Sequence, residues 1–273
     1  GTATLIGDPP NIMIGSAANL TFTDFIVNLG PVVVIIMICI IICFKFIYGK
    51  ELKIHNYDTH FSDLDENKAI KDKTLLLKSI VVLLCILLGF IFHSKLHLES
   101  SVVALSGAAL MLLISNQDVD EIITSVEWPT IVFFTGLFVV VGGLSESGVI
   151  HGLATLLIDV TKDNMTLTLI IVLWISALIS SFLDNIPFVA TLIPLILTMH
   201  AEGVNVMPLW WAISLGACLG GNGTLIGASA NVVLASVGDK HGFPINFKKY
   251  FKLGFPIMIL TIVISTIYLL IKF

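Results

Sequence analysis

The feature that most limits how this chain can fold is a series of long apolar stretches. Residues 31–48, 74–92, 99–115 and 129–148 each contain no more than one charged side chain. Each approaches the length of about 20 residues that an α-helix needs to cross the hydrocarbon core of a bilayer. Charged residues make up 12% of the chain, whereas a soluble domain carries about 25%. The sequence therefore predicts an all-α polytopic membrane protein.

One apolar block, residues 165–199, is too long for a single crossing. As one straight helix its roughly 35 residues would measure about 52 Å, against a hydrocarbon core of about 30 Å. Its only charged residue is Asp184, followed by Asn185 and Pro187. Asp and Asn favour turns, and proline disfavours helix at the preceding residue. The block is therefore predicted to fold back at 184–187, either as two full spans or as a re-entrant hairpin covering 165–200.

The chain contains the same glycine-rich phrase twice, 220 positions apart. "GTATLIGDPPN" begins at Gly1 and "GNGTLIGASAN" at Gly221, and an aromatic segment, a Leu-Gly pair and an apolar span follow each copy. We interpret the phrases as an internal duplication. The identical pairs are Gly1/Gly221, Thr4/Thr224, Leu5/Leu225, Ile6/Ile226, Gly7/Gly227, Asn11/Asn231 and Ser16/Ser236.

Counting crossings between the two phrases gives an odd number, so the copies should run in opposite directions. Inverted repeats with paired broken helices are typical of secondary transporters, which hold their substrate near the membrane midplane. The predicted organisation is the end of a first repeat over 1–48, an inter-repeat loop over 49–73 and a second repeat over 74–273. The second repeat would contain the hairpin, a broken helix over 207–238 and a final span over 254–271.

The distribution of lysines predicts the orientation. Residues 45–78 carry seven lysines and 240–252 carry four, whereas the alternate loops carry only Lys95 and Lys162. By the positive-inside rule both lysine-rich segments, including the loop 49–73, are predicted to be cytoplasmic. The expected location is the cytoplasmic (plasma) membrane.

The candidate site follows from what broken helices expose. Unwound backbone offers carbonyl oxygens to cations, and half-helix N-termini offer amides to anions. Asp184 is the strongest candidate for the coupling group, because a carboxylate inside an apolar block is expensive and is a functional hypothesis by default; the alternative is a turn cap. Asp8 is the second carboxylate, or a turn residue before two prolines. The predicted substrate- or ion-binding residues are Thr4, Gly7, Asp8, Asn11, Asp184, Asn185, Pro187, Gly221, Asn222, Gly223, Thr224 and Asn231, with a possible Na⁺ at Asp184, Asn185, Asn222 and Thr224.

Three segments together resemble the signature segments of the ion transporter superfamily. They read "GTATLIGDPPNIMIG", "SSFLDNIPFVATLIP" and "GACLGGNGTLIGASANVV". The superfamily includes arsenite/antimonite pumps, NhaD-type sodium–proton antiporters and citrate carriers, and the chain is most similar to the branch of the melanosomal P protein. The resemblance implies a scaffold and a transport domain, two re-entrant hairpins, a homodimer and elevator-type movement. It also implies an N-terminally truncated chain, with the first hairpin expected before Gly1.

The predicted function is secondary active transport of an inorganic ion, with sodium–proton antiport favoured and Na⁺ or H⁺ as the coupling ion. The alternatives are arsenite or antimonite transport, with Cys218 near the break, and transport of a citrate-like carboxylate, which lacks a basic partner in the site. An enzyme is not expected, because the sequence has no HExxH, no GxSxG and no serine/lysine dyad. No other cofactor is predicted. The expected partners are the lipid bilayer, a second subunit and a small ion, and the net charge of −5 gives no indication of nucleic acid.

Overall fold

The computed structural model describes residues 1–49, 70, 72–92, 96, 98–161 and 164–273. The described residues form helices and turns and contain no β-strand, which confirms the all-α prediction. The predicted cytoplasmic loop 49–73 lies almost wholly outside them. The helices are α1 (Pro9–Ala18), α2 (Phe22–Tyr48), α3 (Lys73–Phe92), α4 (Ser100–Ser115), α5 (Val119–Thr124), α6 (Trp128–Glu146), α7 (Val149–Thr161), α8 (Met165–Ser180), α9 (Asn185–Ala201), α10 (Met207–Gly220), a 3₁₀ turn (Gly221–Gly223), α11 (Ser229–Lys240) and α12 (Phe247–Lys272).

Four helices of the described chain are long and apolar enough to cross a membrane, namely α2, α3, α6 and α12. The predicted span 99–115 corresponds to α4, whose 16 residues measure about 24 Å, less than the hydrocarbon core. The predicted final span 254–271 begins earlier than expected. α12 starts at Phe247, where the side-chain oxygen of Asn246 accepts a hydrogen bond from the backbone N–H of Lys249 at 2.9 Å and caps the helix.

The described chain divides into two compact units, residues 41–128 and residues 1–40 with 129–273. In the smaller unit α3 and α4 pack through small residues. A Cβ atom added to Gly107 would lie 2.3 Å from the side chain of Ile86, and one added to Gly89 would lie 2.6 Å from that of Val103. Glycines that let helices approach closely are typical of helix pairs in membranes.

The larger unit is built around α10, which is buried from Pro208 to Gly220. A Cβ atom at Gly216 would lie 2.7 Å from the carbonyl oxygen of Leu173, and one at Gly220 would lie 2.5 Å from that of Ala177. The hydroxyl of Ser180 also donates to the carbonyl of Ala217 at 2.7 Å. The backbones of α8 and α10 are therefore in direct contact, and the C-terminal ends of the two helices lie side by side.

The C-terminal end of α12 is hydrogen-bonded to α2 near Pro31. Pro31 has no N–H, so the carbonyl of Val27, four residues earlier, lacks its helical donor. The ammonium of Lys272 donates to that carbonyl at 3.1 Å and to the hydroxyl of Tyr268 at 3.1 Å. The Tyr268 hydroxyl in turn donates to the carbonyl of Asn28 at 2.7 Å. A side chain from another helix thus satisfies the carbonyl that proline leaves open, as apolar surroundings require.

Lys272→Met is expected to destabilise the protein by roughly 1 kcal/mol, because the stem stays but the Val27 carbonyl loses its donor; exposure of the lysine keeps the effect small. The measurement is the thermal unfolding midpoint in detergent. Tyr268→Phe should lower the midpoint in the same direction, whereas Lys240→Met, which removes an exposed lysine at the end of α11, should leave it unchanged. Equal midpoints for all three variants would contradict the role of this contact.

Candidate ion-binding site

The first glycine-rich phrase forms a tight turn before α1. The backbone N–H of Thr4 donates to the carbonyl of Gly1 at 3.4 Å, and that of Gly7 donates to the carbonyl of Thr4 at 3.3 Å. The fully buried side-chain amide of Asn11 donates to the carbonyls of Thr2 and Thr4 at 3.2 and 3.1 Å. A Cβ atom at Gly7 would lie 2.1 Å from the Gly1 carbonyl oxygen, so the turn requires glycine there.

The second phrase adopts the same local backbone between α10 and α11. The side-chain amide of Asn231 donates to the carbonyls of Gly221 and Thr224 at 2.9 and 3.0 Å, and the bond to Thr224 is the counterpart of the bond from Asn11 to Thr4 in the first copy. The residue before each helix is extended, with φ −150° and ψ 137° at Asp8 and φ −150° and ψ 140° at Ala228. The duplication in sequence is thus a duplication in local structure, although the second copy has alanine where the first has a carboxylate. The inverted orientation of the two copies stays a prediction.

The break in the long apolar block lies slightly earlier than predicted. α8 ends at Ser180 and α9 begins at Asn185, so the break covers 181–184 rather than 184–187. The carboxylate of Asp184 caps α9 by accepting a hydrogen bond from the N–H of Ile186 at 3.0 Å. Pro187 lies in the first turn of α9, where its missing N–H would have had no helical acceptor. The break is therefore fixed by the cap rather than by the proline.

The N-termini of α1 and α9 meet through side chains 177 positions apart. The amide nitrogen of Asn185 lies 3.3 and 3.5 Å from the two carboxylate oxygens of Asp8. Asn185 is buried and Asp8 is partly buried. The Asp8 side chain makes no capping hydrogen bond to α1. Its carboxylate therefore faces α9 rather than its own helix.

The carbonyl oxygen of the Asn11 side chain accepts two hydrogen bonds from α10. The hydroxyl of Ser214 donates at 2.6 Å and the thiol of Cys218 at 3.6 Å. The Cys218 thiol also lies beside the Asp8 carboxylate. Both hydrogen-bonding groups of the buried Asn11 amide are thus satisfied. We call Thr4, Asp8, Asn11, Asn185, Ser214 and Cys218 the first-break cluster.

The second break is held against the C-terminal end of α8. The buried hydroxyl of Thr224 donates to the carbonyl of Ser181, and the hydroxyl of Ser181 donates to the carbonyl of Gly220 at 2.9 Å. A Cβ atom at Gly223 would lie 2.5 Å from the Ser181 hydroxyl oxygen. We call Ser181, Gly221, Gly223, Thr224 and Asn231 the second-break cluster.

Eight of the twelve predicted site residues belong to these two clusters, and Gly7, Asp184, Pro187 and Asn222 lie outside them. Of the predicted Na⁺ ligands, Asn185 belongs to the first-break cluster and Thr224 to the second. Asp184 caps α9, and Asn222 is exposed. The sequence did not single out Ser181 or Ser214 as site residues. A usable signal for Ser214 was its spacing of four from Cys218, which places both on one face of a helix.

Comparison with known proteins gives consistent matches. A family described as citrate transporter matches residues 1–216. An uncharacterized transporter of Mycobacterium tuberculosis is 41% identical over 280 residues, which cover 100% of this chain and 64% of the relative. The 46 kDa membrane protein of Mycobacterium leprae is 37% identical over 281 residues, covering 100% of the chain and 65% of that protein. The P protein of Sus scrofa is 38% identical over 228 residues, covering 79% of the chain and 27% of that protein. The chain spans less than two thirds of the length of these relatives.

Proposed function

Because the chain belongs to the citrate transporter family, we propose that the protein is a secondary active transporter that exchanges sodium ions for protons. The mycobacterial relatives named as transporters support transport rather than catalysis. The four long apolar helices support an integral membrane location. The choice of ion rests on the site itself.

The contact between Asp8 and Asn185 carries the proposal for a cation. The half-helix N-termini of α1 and α9 would attract an anion, but each has an aspartate at its N-cap position, Asp8 or Asp184. The hydrogen bonds described for the first-break cluster include no basic side chain. An incoming anion would therefore meet two carboxylates without a compensating cation, whereas Na⁺ or H⁺ would neutralise one of them.

Geometry favours Asp8 over Asp184 as the group that binds the ion. The Asp184 carboxylate already holds the backbone of α9, so its protonation would weaken a helix cap. The Asp8 carboxylate faces the Asn185 amide, which can rotate to present its oxygen to a cation in place of its nitrogen. Carboxylate and amide oxygens are suitable ligands for a hard cation. A proton on Asp8 would compete with sodium for the same oxygens, which is the requirement for exchange.

Alternating access by elevator-type movement is part of the proposal. The direct backbone contact between α8 and α10 supports a rigid unit that moves together, because a glycine-mediated contact leaves little room for sliding. Helices α8 and α9 have 16 and 17 residues, or about 24–26 Å, which is shorter than the hydrocarbon core and suits a re-entrant hairpin. A homodimer, a plasma-membrane location and a cytoplasmic loop 49–73 complete the proposal.

Symport of a citrate-like carboxylate with the cation is the second candidate. The description of the family favours it, and the N-termini of α1 and α9 are the groups that would bind the carboxylates. In this case the cation would bind to Asp8 before the substrate. It would neutralise the Asp8 carboxylate, which would otherwise repel the incoming anion.

Flux in liposomes tests the proposal directly. The full-length protein is reconstituted with a pH-sensitive dye inside, and NaCl or KCl is added outside. Sodium, but not potassium, is expected to drive a pH change that protein-free liposomes do not show. Uptake of labelled citrate or of arsenite is measured in parallel. Sodium-dependent citrate uptake without proton movement would replace antiport by symport, and arsenite flux independent of sodium would contradict both.

A further inference from the structure

The first two turns of α12 carry two adjoining stripes of side chains. Phe247, Phe251 and Phe255 stack along the helix, with ring centroids 5.9 and 4.7 Å apart. Lys248 and Lys252 are exposed and lie one residue further round the helix than Phe247 and Phe251. Residues one position apart are separated by about 100° on an α-helix. An apolar aromatic stripe therefore runs beside a cationic one.

The side of α12 that carries Gly254 and Met258 faces the second-break cluster, and the aromatic stripe borders that side, with Phe255 packed against the core. A Cβ atom at Gly254 would lie 2.8 Å from the carbonyl oxygen of Asn222, and the methyl group of Met258 lies against Gly223. Gly254 therefore fixes which side of α12 faces the protein. The lysines at 248, 249 and 252 all lie away from that side and are exposed.

The charge of this region has one sign. Residues 240–273 contain five lysines and neither aspartate nor glutamate. The lysines at 248, 249 and 252 lie at the start of a helix that is apolar beyond them and long enough to cross the membrane. Such a helix would place these lysines at the depth of the lipid headgroups, where aromatic rings are also favoured.

We propose that the first two turns of α12 bind an anionic phospholipid, with the phosphate on the lysines at 248, 249 and 252 and an acyl chain along the rings of Phe247 and Phe251. Charge complementarity selects an anionic headgroup, since basic residues next to a membrane segment attract anionic lipids. The accessible surface of Phe247 and Phe251 selects a lipid rather than free phosphate, because an acyl chain can cover these rings and phosphate cannot. A lipid bound there would stabilise the helix that contacts Gly223 and Asn222.

Binding of short-chain lipids tests this site without any transport assay. The delipidated full-length protein in detergent is titrated with dioctanoyl phosphatidylglycerol, dioctanoyl phosphatidylcholine or glycerol 3-phosphate, and the thermal unfolding midpoint is followed. Phosphatidylglycerol alone is expected to raise the midpoint. The triple variant Lys248→Gln, Lys249→Gln and Lys252→Gln should weaken its apparent affinity by about a hundredfold, at roughly fivefold per lysine near an anionic headgroup.

A charge-matched control is the triple variant Lys68→Gln, Lys71→Gln and Lys73→Gln, which should keep the wild-type affinity. The double variant Phe247→Ala and Phe251→Ala should weaken the apparent affinity for phosphatidylglycerol, although it keeps all three lysines. An equal effect of phosphatidylcholine would overturn the role of charge, and an equal effect of glycerol 3-phosphate would overturn the role of the lipid tail. Equal loss in the two lysine variants would show a general charge effect and would also overturn the site.

Discussion

Asp8→Asn is expected to abolish the pH dependence of sodium transport and to weaken apparent sodium affinity by about ten- to a hundredfold. The factor corresponds to the 1.5–3 kcal/mol that an interaction with a charged group contributes. Asparagine keeps the shape of the side chain and can still accept a hydrogen bond from the Asn185 amide, but it neither titrates nor carries charge. In the wild type a proton on Asp8 competes with sodium, so apparent sodium affinity should fall as pH falls. In the variant it should be flat.

Asp184→Asn is the matched control. Asparagine is as good an N-cap as aspartate, so α9 should keep its start at Asn185 and the pH profile should stay close to that of the wild type. The measurement is the sodium concentration for half-maximal flux between pH 6 and 8, with the amount of inserted protein quantified for each variant. If Asp184→Asn removes the pH dependence and Asp8→Asn does not, the assignment of the two carboxylates is reversed.

Asn11→Ala is expected to be far more destabilising than Asn231→Ala, although the two residues occupy equivalent positions of the duplicated phrase. Asn11 is fully buried and connects the turn to Ser214 and Cys218. Its removal leaves several buried polar groups without partners, each costing about 1–3 kcal/mol. We therefore expect a loss of about 3 kcal/mol or more. Asn231 is less buried and holds its own turn through two hydrogen bonds, so about 1 kcal/mol is expected for its replacement.

The unfolding midpoints of the two alanine variants, measured side by side, give the comparison. Ser214→Ala separates the turn from the contact with α10, because it removes one donor to Asn11 and leaves the hydrogen bonds to Thr2 and Thr4. Its effect should fall between those of the two asparagine variants. Equal destabilisation by Asn11→Ala and Asn231→Ala would mean that the turn alone, and not its connection to α10, determines stability.

The sequence predicts those parts of the fold that depend on local chemistry. Apolar length predicted the membrane helices, and the three motifs predicted the family, which the match to the citrate transporter family confirms. The break after Gly220 follows from closely spaced glycines, and the cap of α9 follows from Asp184. These features need only neighbouring residues, so a pattern in the sequence can reveal them.

Contacts between distant segments were not predictable in the same way. No local pattern pairs Asp8 with Asn185, or Asn11 with Ser214, because each pair depends on how α1, α9 and α10 pack. The turn at 181–184 was placed at the proline, since proline is a strong local signal, but the first turn of a helix tolerates proline. Likewise α12 begins at the Asn246 cap and includes both the aromatic segment that follows the second phrase and the last span.

The difference between Asp8 and Ala228 has an electrical consequence. The two breaks share a backbone conformation but differ by one elementary charge. Moving one such charge through the whole membrane potential takes about 2.3 kcal/mol per 100 mV. A sodium ion or a proton on Asp8 cancels this charge. The movement of the loaded site therefore needs no electrical work on account of Asp8, whereas the movement of the empty site carries one full negative charge through the membrane potential. One-for-one exchange of Na⁺ for H⁺ moves only loaded sites, so its turnover should be independent of membrane voltage, and voltage should act only on the uncoupled movement of the empty site.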